Sequence, residues 1–218
     1  MRSLIAIKNN NQSGDTIVEV MIAFAIFAAV LASSMAIMNL GIGKSMRSLE
    51  ITQVRQQMDA QAEMIRFIHD SYVDQYQKGY PEPTDGIASY WVELREKNLD
   101  TAEKVASFTD SSNNCPTDKS KIRNAFFINS RGGQLSIESS SNIELKAPEG
   151  ATLPPHSLVD FDNNKAYNMW VQAVPSSSIS GGITTKYVDF HIRACWRSSG
   201  GIEPVTLGTI VRLYEPKV

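Results

Sequence analysis

Among these 218 residues the side chain most in need of a chemical reason is a carboxylate in greasy company. Glu19 is the only charged residue from Ile17 to Ile42, a run of 26 reading IVEVMIAFAIFAAVLASSMAIMNLGI. A charge in a membrane segment costs about 2.5–3.5 kcal/mol at the centre of a helix and less near the interface. Two reasons could keep it there. Thr16-Ile17-Val18-Glu19 has the spacing of a capping box, in which the hydroxyl and the carboxylate satisfy free backbone N–H groups. Alternatively the carboxylate meets a partner cation inside an apolar bundle, where leaving a charge unpaired is penalised and pairing is therefore selective.

The other candidate groups point away from catalysis. His69, His156 and His191 have no Cys, Asp or Glu at a metal-ligand spacing. His191 lies two residues from both Asp189 and Arg193, which puts three polar groups on one face of a strand. Asp160-Phe-Asp162-Asn-Asn164 matches the first, third and fifth positions of a calcium loop, but Lys165 stands where glycine is expected and the closing Glu is missing. A turn is the better reading there. Cys115 and Cys195 are too far apart for a CxxC metal site. No GxSxG, P-loop or dinucleotide motif occurs, and the loop serines lack a base, so neither enzymatic activity nor a cofactor is expected. With 21 Lys+Arg against 23 Asp+Glu and a net charge of -2, no basic excess exists to hold nucleic acid by bulk charge. At 42% hydrophobic and 20% charged, the chain has a globular balance that rules out wholesale disorder.

The elements that carry these residues can be read from periodicity. The run 17–42 would make a helix about 39 Å long against a hydrocarbon core of about 30 Å, so it can span a bilayer with some tilt. It is apolar on all faces, which disfavours a soluble core helix. A cleaved secretory signal ending near Ala32-Ser33-Ser34 is disfavoured because the apolar run continues past that site. Beyond Gly43 the apolar residues Ile51, Val54, Met58, Ala62, Ile65, Ile68 and Tyr72 recur at steps of three and four, the pattern of an amphipathic face. Arg55, Gln56, Gln57, Asp59, Glu63 and Arg66 take the other faces. One helix is expected from about Thr16 to Gln77, ended by Gly79 and Pro81. Residues 88–97 and 100–108 read as short helices and DSSNNCPTDKSK as loop. Strands are expected at AFFIN, QLSIE and NIEL, and more strongly at 166–174, 187–196 and 205–214, joined in an antiparallel meander by the linkers PSSSISGGITT and RSSGGIEP. In 187–196 the apolar face is Val188, Phe190, Ile192, Ala194 and Trp196, with Cys195 on the polar side. The expected fold class is α+β.

Residues 13–27, SGDTIVEVMIAFAIF, resemble the prepilin segment of type IV pilins and type II secretion pseudopilins. The shared order is a polar leader, Gly, Thr, two aliphatics, Glu and a long apolar run. The resemblance implies a leader 1–14 containing Arg2 and Lys8, removed by a membrane-embedded prepilin peptidase that cuts between Gly14 and Asp15. It departs from the family at Asp15, where Phe is usual, and in having no proline in the apolar run, where Gly41 and Gly43 are the softest points. It also implies assembly through Glu19, which would approach the new α-amine at Asp15 of a neighbouring subunit. A charge pair at about 4 Å and an effective dielectric near 20 is worth about 4 kcal/mol before desolvation.

The organisation that follows is 1–14 leader, 15–43 membrane and assembly helix, 44–78 amphipathic helix, 79–124 variable helix and loop, and 125–218 antiparallel β domain of pilin-like architecture. The partners implied are other pilin subunits, the peptidase, an inner-membrane assembly platform and the lipid bilayer. The precursor would be single-pass in the bacterial cytoplasmic membrane and the assembled filament outside the cell. Lys and Arg flank the apolar run on both sides, so their count leaves its orientation undecided. In an exported domain Cys115 and Cys195 would bond, closing a large loop worth about 4.5 kcal/mol in the chain-entropy model, whereas two free thiols are the alternative. The competing function is a single-pass anchored extracellular binding module that never polymerises.

Overall fold

The computed structural model describes residues 15–97, 114–145, 156–180, 182–198 and 203–216. The leader with Gly14 and the segment 100–108 lie outside them.

Helix α1 is Asp15–Gln77, 63 residues without a proline. It stops in a Schellman arrangement: Tyr80 N donates to Gln75 O at 3.1 Å and Gly79 N to Tyr76 O at 3.0 Å. That closure needs a left-handed residue, and Gly79 supplies it with φ +90°. The chain divides into two units, one to Met46 and one from Arg47.

The second unit is α+β. It holds the later part of α1, α2 (Gly86–Lys97) and eight strands: β1 Phe126–Asn129, β2 Ser136–Ser139, β3 Ile143–Glu144, β4 Leu158–Asp160, β5 Lys165–Tyr167, β6 Met169–Ser180, β7 Ile183–Trp196 and β8 Val205–Tyr214. A five-stranded antiparallel sheet has the order β2-β1-β6-β7-β8, and a small sheet has the order β3-β5-β4. Val54, Met58, Ala62, Ile65, Ile68 and Tyr72 of α1 are buried, as their spacing requires, and Ala88, Trp91 and Leu94 of α2 join them. Trp91 ties the layers together, stacked 6.0 Å from Tyr72 and tilted against Phe190 of β7 at 5.6 Å.

Four details differ from the sequence reading. The strand expected at 166–174 is two strands. Asn168, at φ +54°, breaks it, and the chain passes there from the small sheet to the large one. Asn168 N donates to Glu144 O, while its carbonyl accepts from Cys195 N and Ser157 Oγ, so both sheets hold the break in place. The supposed linker PSSSISGGITT is largely strand. β6 and β7 pair without interruption from Met169↔Ala194 to Ser180↔Ile183, because Ser and Thr suit an extended exposed ribbon that no apolar pattern announces. Pro175 is tolerated because β1 pairs with β6 only at Val171 and leaves that edge open further along.

Third, Cys195 is buried rather than on a polar face, and Trp170, Gln172 and Val174 beside it are buried too. The segment around Cys115 and Arg123 lies against this side of the sheet, so both faces of β6 are covered; Gln172 Nε2 donates to Arg123 O at 3.4 Å. That segment is also less irregular than expected, since Lys119–Ile122 forms a 3₁₀ turn. Asp118 caps it by accepting from Ser120 N at 2.8 Å, and its hydrogen bonds with Ser120 hold its carboxyl below the usual range. Fourth, Gln57 is half-buried instead of solvent-facing, and its Oε1 accepts from Val159 N at 2.5 Å.

Candidate functional site

The first unit is helical from Asp15 to Met46, and none of its described side chains is buried. Every large apolar side chain from Ile17 to Ile42 is exposed, from 45% at Leu31 to 72% at Ile17. A helix of this length and composition can cross a membrane. Its polar side chains suit that environment. Ser33 Oγ donates to Ala29 O and Ser34 Oγ to Val30 O, each at 2.8 Å, so both hydroxyls are satisfied within the helix and need no water.

Asp15, Thr16 and Glu19 fall within the first five residues of α1. Asp15 and Glu19 are four apart in the sequence of α1. The charged residues of 15–46 are Asp15, Glu19 and Lys44, and Lys44 lies about 37 Å from Glu19 along the helix axis. Among the described residues of this unit, then, no cation can reach Glu19. A partner for it must come from elsewhere.

The chain matches no protein-family model, no curated protein and no solved structure. What the first unit can do follows from its own surface. It can dissolve in lipid or pack against other apolar helices, and it presents the Glu19 carboxylate to whatever cation those surroundings supply.

The remaining candidate residues are engaged in the fold of the second unit. Cys115 and Cys195 are disulfide-bonded with their Cα atoms 5.5 Å apart, which pins the segment before the 3₁₀ turn to β7. Asp160 turns inward on its own loop: Oδ1 accepts from Asp162 N and Asn163 N, each at 3.1 Å, and Oδ2 from Asn163 Nδ2 at 2.7 Å. These bonds hold its carboxyl below the usual range. Asp162 pairs with Arg131 at 3.7 Å, and Asn164, left-handed at φ +52°, receives a hydrogen bond from Asn129. The three residues build the β4–β5 turn. Among the described residues no group of three His, Cys, Asp or Glu is placed to hold a metal.

Asp189 and His191 do not form a pair of their own. Asp189 takes both ends of the Arg212 guanidinium at 2.8 Å, and Arg212 lies 4.0 Å over the Tyr187 ring. Burial is the main cause that lowers the pKa of His191, with Arg193 adding to it.

Three polar residues of α1 do work that periodicity hides. Gln61 is buried and bonds both ways to β1, Nε2 to Ile128 O and Oε1 from Ile128 N, each at 2.8 Å. Trp196 Nε1 donates to buried Glu50 at 3.1 Å. His69 Nε2 donates to Tyr214 O at 2.9 Å, holding the end of β8 against the helix. The only signal that could have found them is position: each falls within the apolar stripe, next to Ile51, Ala62 and Ile68.

Proposed function

We propose that this chain is a structural subunit of a type IV pilus-type filament, a minor pilin or pilin-like protein. It is made as a precursor anchored in the cytoplasmic membrane, cut by a prepilin peptidase between Gly14 and Asp15, and assembled through its N-terminal helix with the α+β unit outside. It is the substrate of one reaction and the catalyst of none. The observation that carries this reading is Glu19, a carboxylate unreachable by any described cation of its own unit, at the head of a helical stretch, Ile17–Ile42, whose large apolar side chains are all exposed. Cleavage after Gly14 would make Asp15, the first residue of α1, the new terminus and create the missing cation as its α-amine. In a bundle of such helices a neighbour's amine meets Glu19 in an apolar setting, where pairing is favoured and a mismatched register leaves a charge stranded. The exposed apolar surface is buried in the same step, first by lipid and then by other subunits.

The test is the N-terminus of the protein taken from its native membrane. Mass spectrometry should find it at Asp15. Gly14→Leu should accumulate precursor, and Glu19→Ala should be cleaved yet stay out of filaments. An intact Met1, or a start near Ser34, favours the anchored module that never polymerises. Normal assembly of Glu19→Ala would reduce the carboxylate to a capping role.

A further inference from the structure

The second unit carries a groove of about 920 Å³, open to solvent and within the span of about 300–1,000 Å³ that small-molecule sites occupy. Tyr72 and Tyr76 on the last turns of α1 form one wall. The far part of the β6–β7 ribbon forms the other, and Arg95 of α2 and Glu215 after β8 close one end. Side chains alternate along a strand, so Ser177, Thr184 and Lys186 share the face of buried Val188, which is the face toward α1. The half-buried Tyr76 ring, 6.0 Å from the buried Tyr72 ring and tilted by 51° to it, gives the groove one aromatic surface.

The lining selects against two ligand classes. Arg95 is already engaged: Nη2 lies 2.9 Å from Glu82 and Nη1 3.9 Å from Glu215. A phosphate or sulfate would have to displace a carboxylate to reach it. Exposed Lys186 also lines the groove, but the two cations are matched by the carboxylates of Glu82 and Glu215, so the site carries no net positive charge for an anion. A purely apolar ligand would strand the guanidinium, the carboxylate and several hydroxyls without water. Among the described residues the hydroxyls of Tyr76, Ser177 and Thr184 have no hydrogen-bond partner and are ready both to donate and to accept. The Tyr72 phenol, whose pKa burial raises, is already engaged: it donates to Pro81 O at 3.4 Å and accepts from Arg95 Nη1 at 3.5 Å.

We propose that this groove binds a neutral oligosaccharide. A sugar ring has C–H faces that rest on tyrosine and an edge of hydroxyls that both donate and accept. That edge matches the Arg95–Glu215 pair at one end and the Ser177 and Thr184 hydroxyls along the ribbon. Binding here requires neither cleavage after Gly14 nor filament assembly, so either proposal can fail alone.

The full-length chain, held in a detergent without a sugar headgroup, should be titrated with lactose, maltotriose and diacetylchitobiose by saturation-transfer NMR. At least one should bind saturably, in the millimolar range or tighter. Ser177→Trp fills the groove from an exposed strand position and should weaken binding about tenfold or more while the melting temperature holds. Tyr76→Ala should also weaken binding, with a fall in melting temperature because the ring packs against the core, and Thr206→Tyr on β8 should change nothing. The proposal is overturned if none of the three sugars binds, if Ser177→Trp binds as well as the parent chain, or if only sulfated or phosphorylated sugars bind and added salt abolishes it.

Discussion

From Ile17 to Ile42 every large apolar side chain of α1 is exposed, whereas from Val54 to Tyr72 an apolar stripe stepping by three and four (Val54, Met58, Ala62, Ile65, Ile68 and Tyr72) is buried in the core of the second unit. Both stretches are helix, and both are rich in Ile, Val, Met and Ala. They differ in where the polar residues fall. The first stretch has none that would orient it, and nothing in its own unit covers it; it is long and apolar enough to cross a membrane. The second has a polar face, so its stripe is satisfied inside the chain. Hydrophobic content therefore says little about whether a helix stabilises a fold. The distribution of the polar residues around it decides that.

Substitutions matched between the two stretches can break this contrast. The largest effect is expected in the aromatic pair Trp91→Ala and Phe24→Ala. Trp91 is 1% exposed, and its removal should cost the second unit about 3–5 kcal/mol. Phe24 is 69% exposed, and its loss should leave the same unfolding transition unmoved. Denaturant titrations followed by near-ultraviolet circular dichroism check both.

Replacing Cys115 and Cys195 together by Ser should cost about 2–5 kcal/mol on that transition. A shift that a membrane-retention assay also registered would mean that the two stretches are not independent.

Val30→Asp should act in the opposite sense. It adds a charge amid the apolar run, with an insertion penalty of about 2.5–3.5 kcal/mol, and should release the chain from membranes at alkaline extraction without changing the melting of the second unit. Gln61→Ala should cost about 1–3 kcal/mol for each Ile128 group left unpaired, more than its polar character suggests for a helix surface.

The smallest effect expected is one of pH. Burial lowers the pKa of His156 and His191 from the ordinary 6.5, with Glu50 opposing it at His156 and Asp189 at His191. The unfolded chain therefore takes up these protons first. Stability should be full above about pH 6.5 and fall as the pH drops from there toward the lower folded-state values. Substituting both residues by Gln should flatten that part of the profile in thermal melts.

The helices and the main strands were legible because their apolar residues repeat with periods near 3.6 and 2. The β6–β7 ribbon beyond Val188 was not, because its serines and threonines show no apolar alternation and its strands are joined by backbone pairing. Asn168 was illegible for the opposite reason: an unbroken strand-like pattern surrounds it, and only the competition of two sheets for its backbone makes the break. Of the candidate residues, Glu19 was conspicuous by composition, but the groove was not. Its walls come from α1, α2, the ribbon and the residues after β8, which no local spacing brings together.

The order of residues alone settled which stretch is long and apolar enough to cross a membrane and which helical face would turn inward, since both depend on neighbours within a few positions. Tertiary structure decided which polar groups would be buried. Gln61, Glu50 and His69 could enter the apolar stripe only because Ile128, Trp196 and Tyr214, far away in sequence, arrive with matching donors and acceptors. A buried polar group is tolerated when its partner is present, and the position of that partner is a property of the fold.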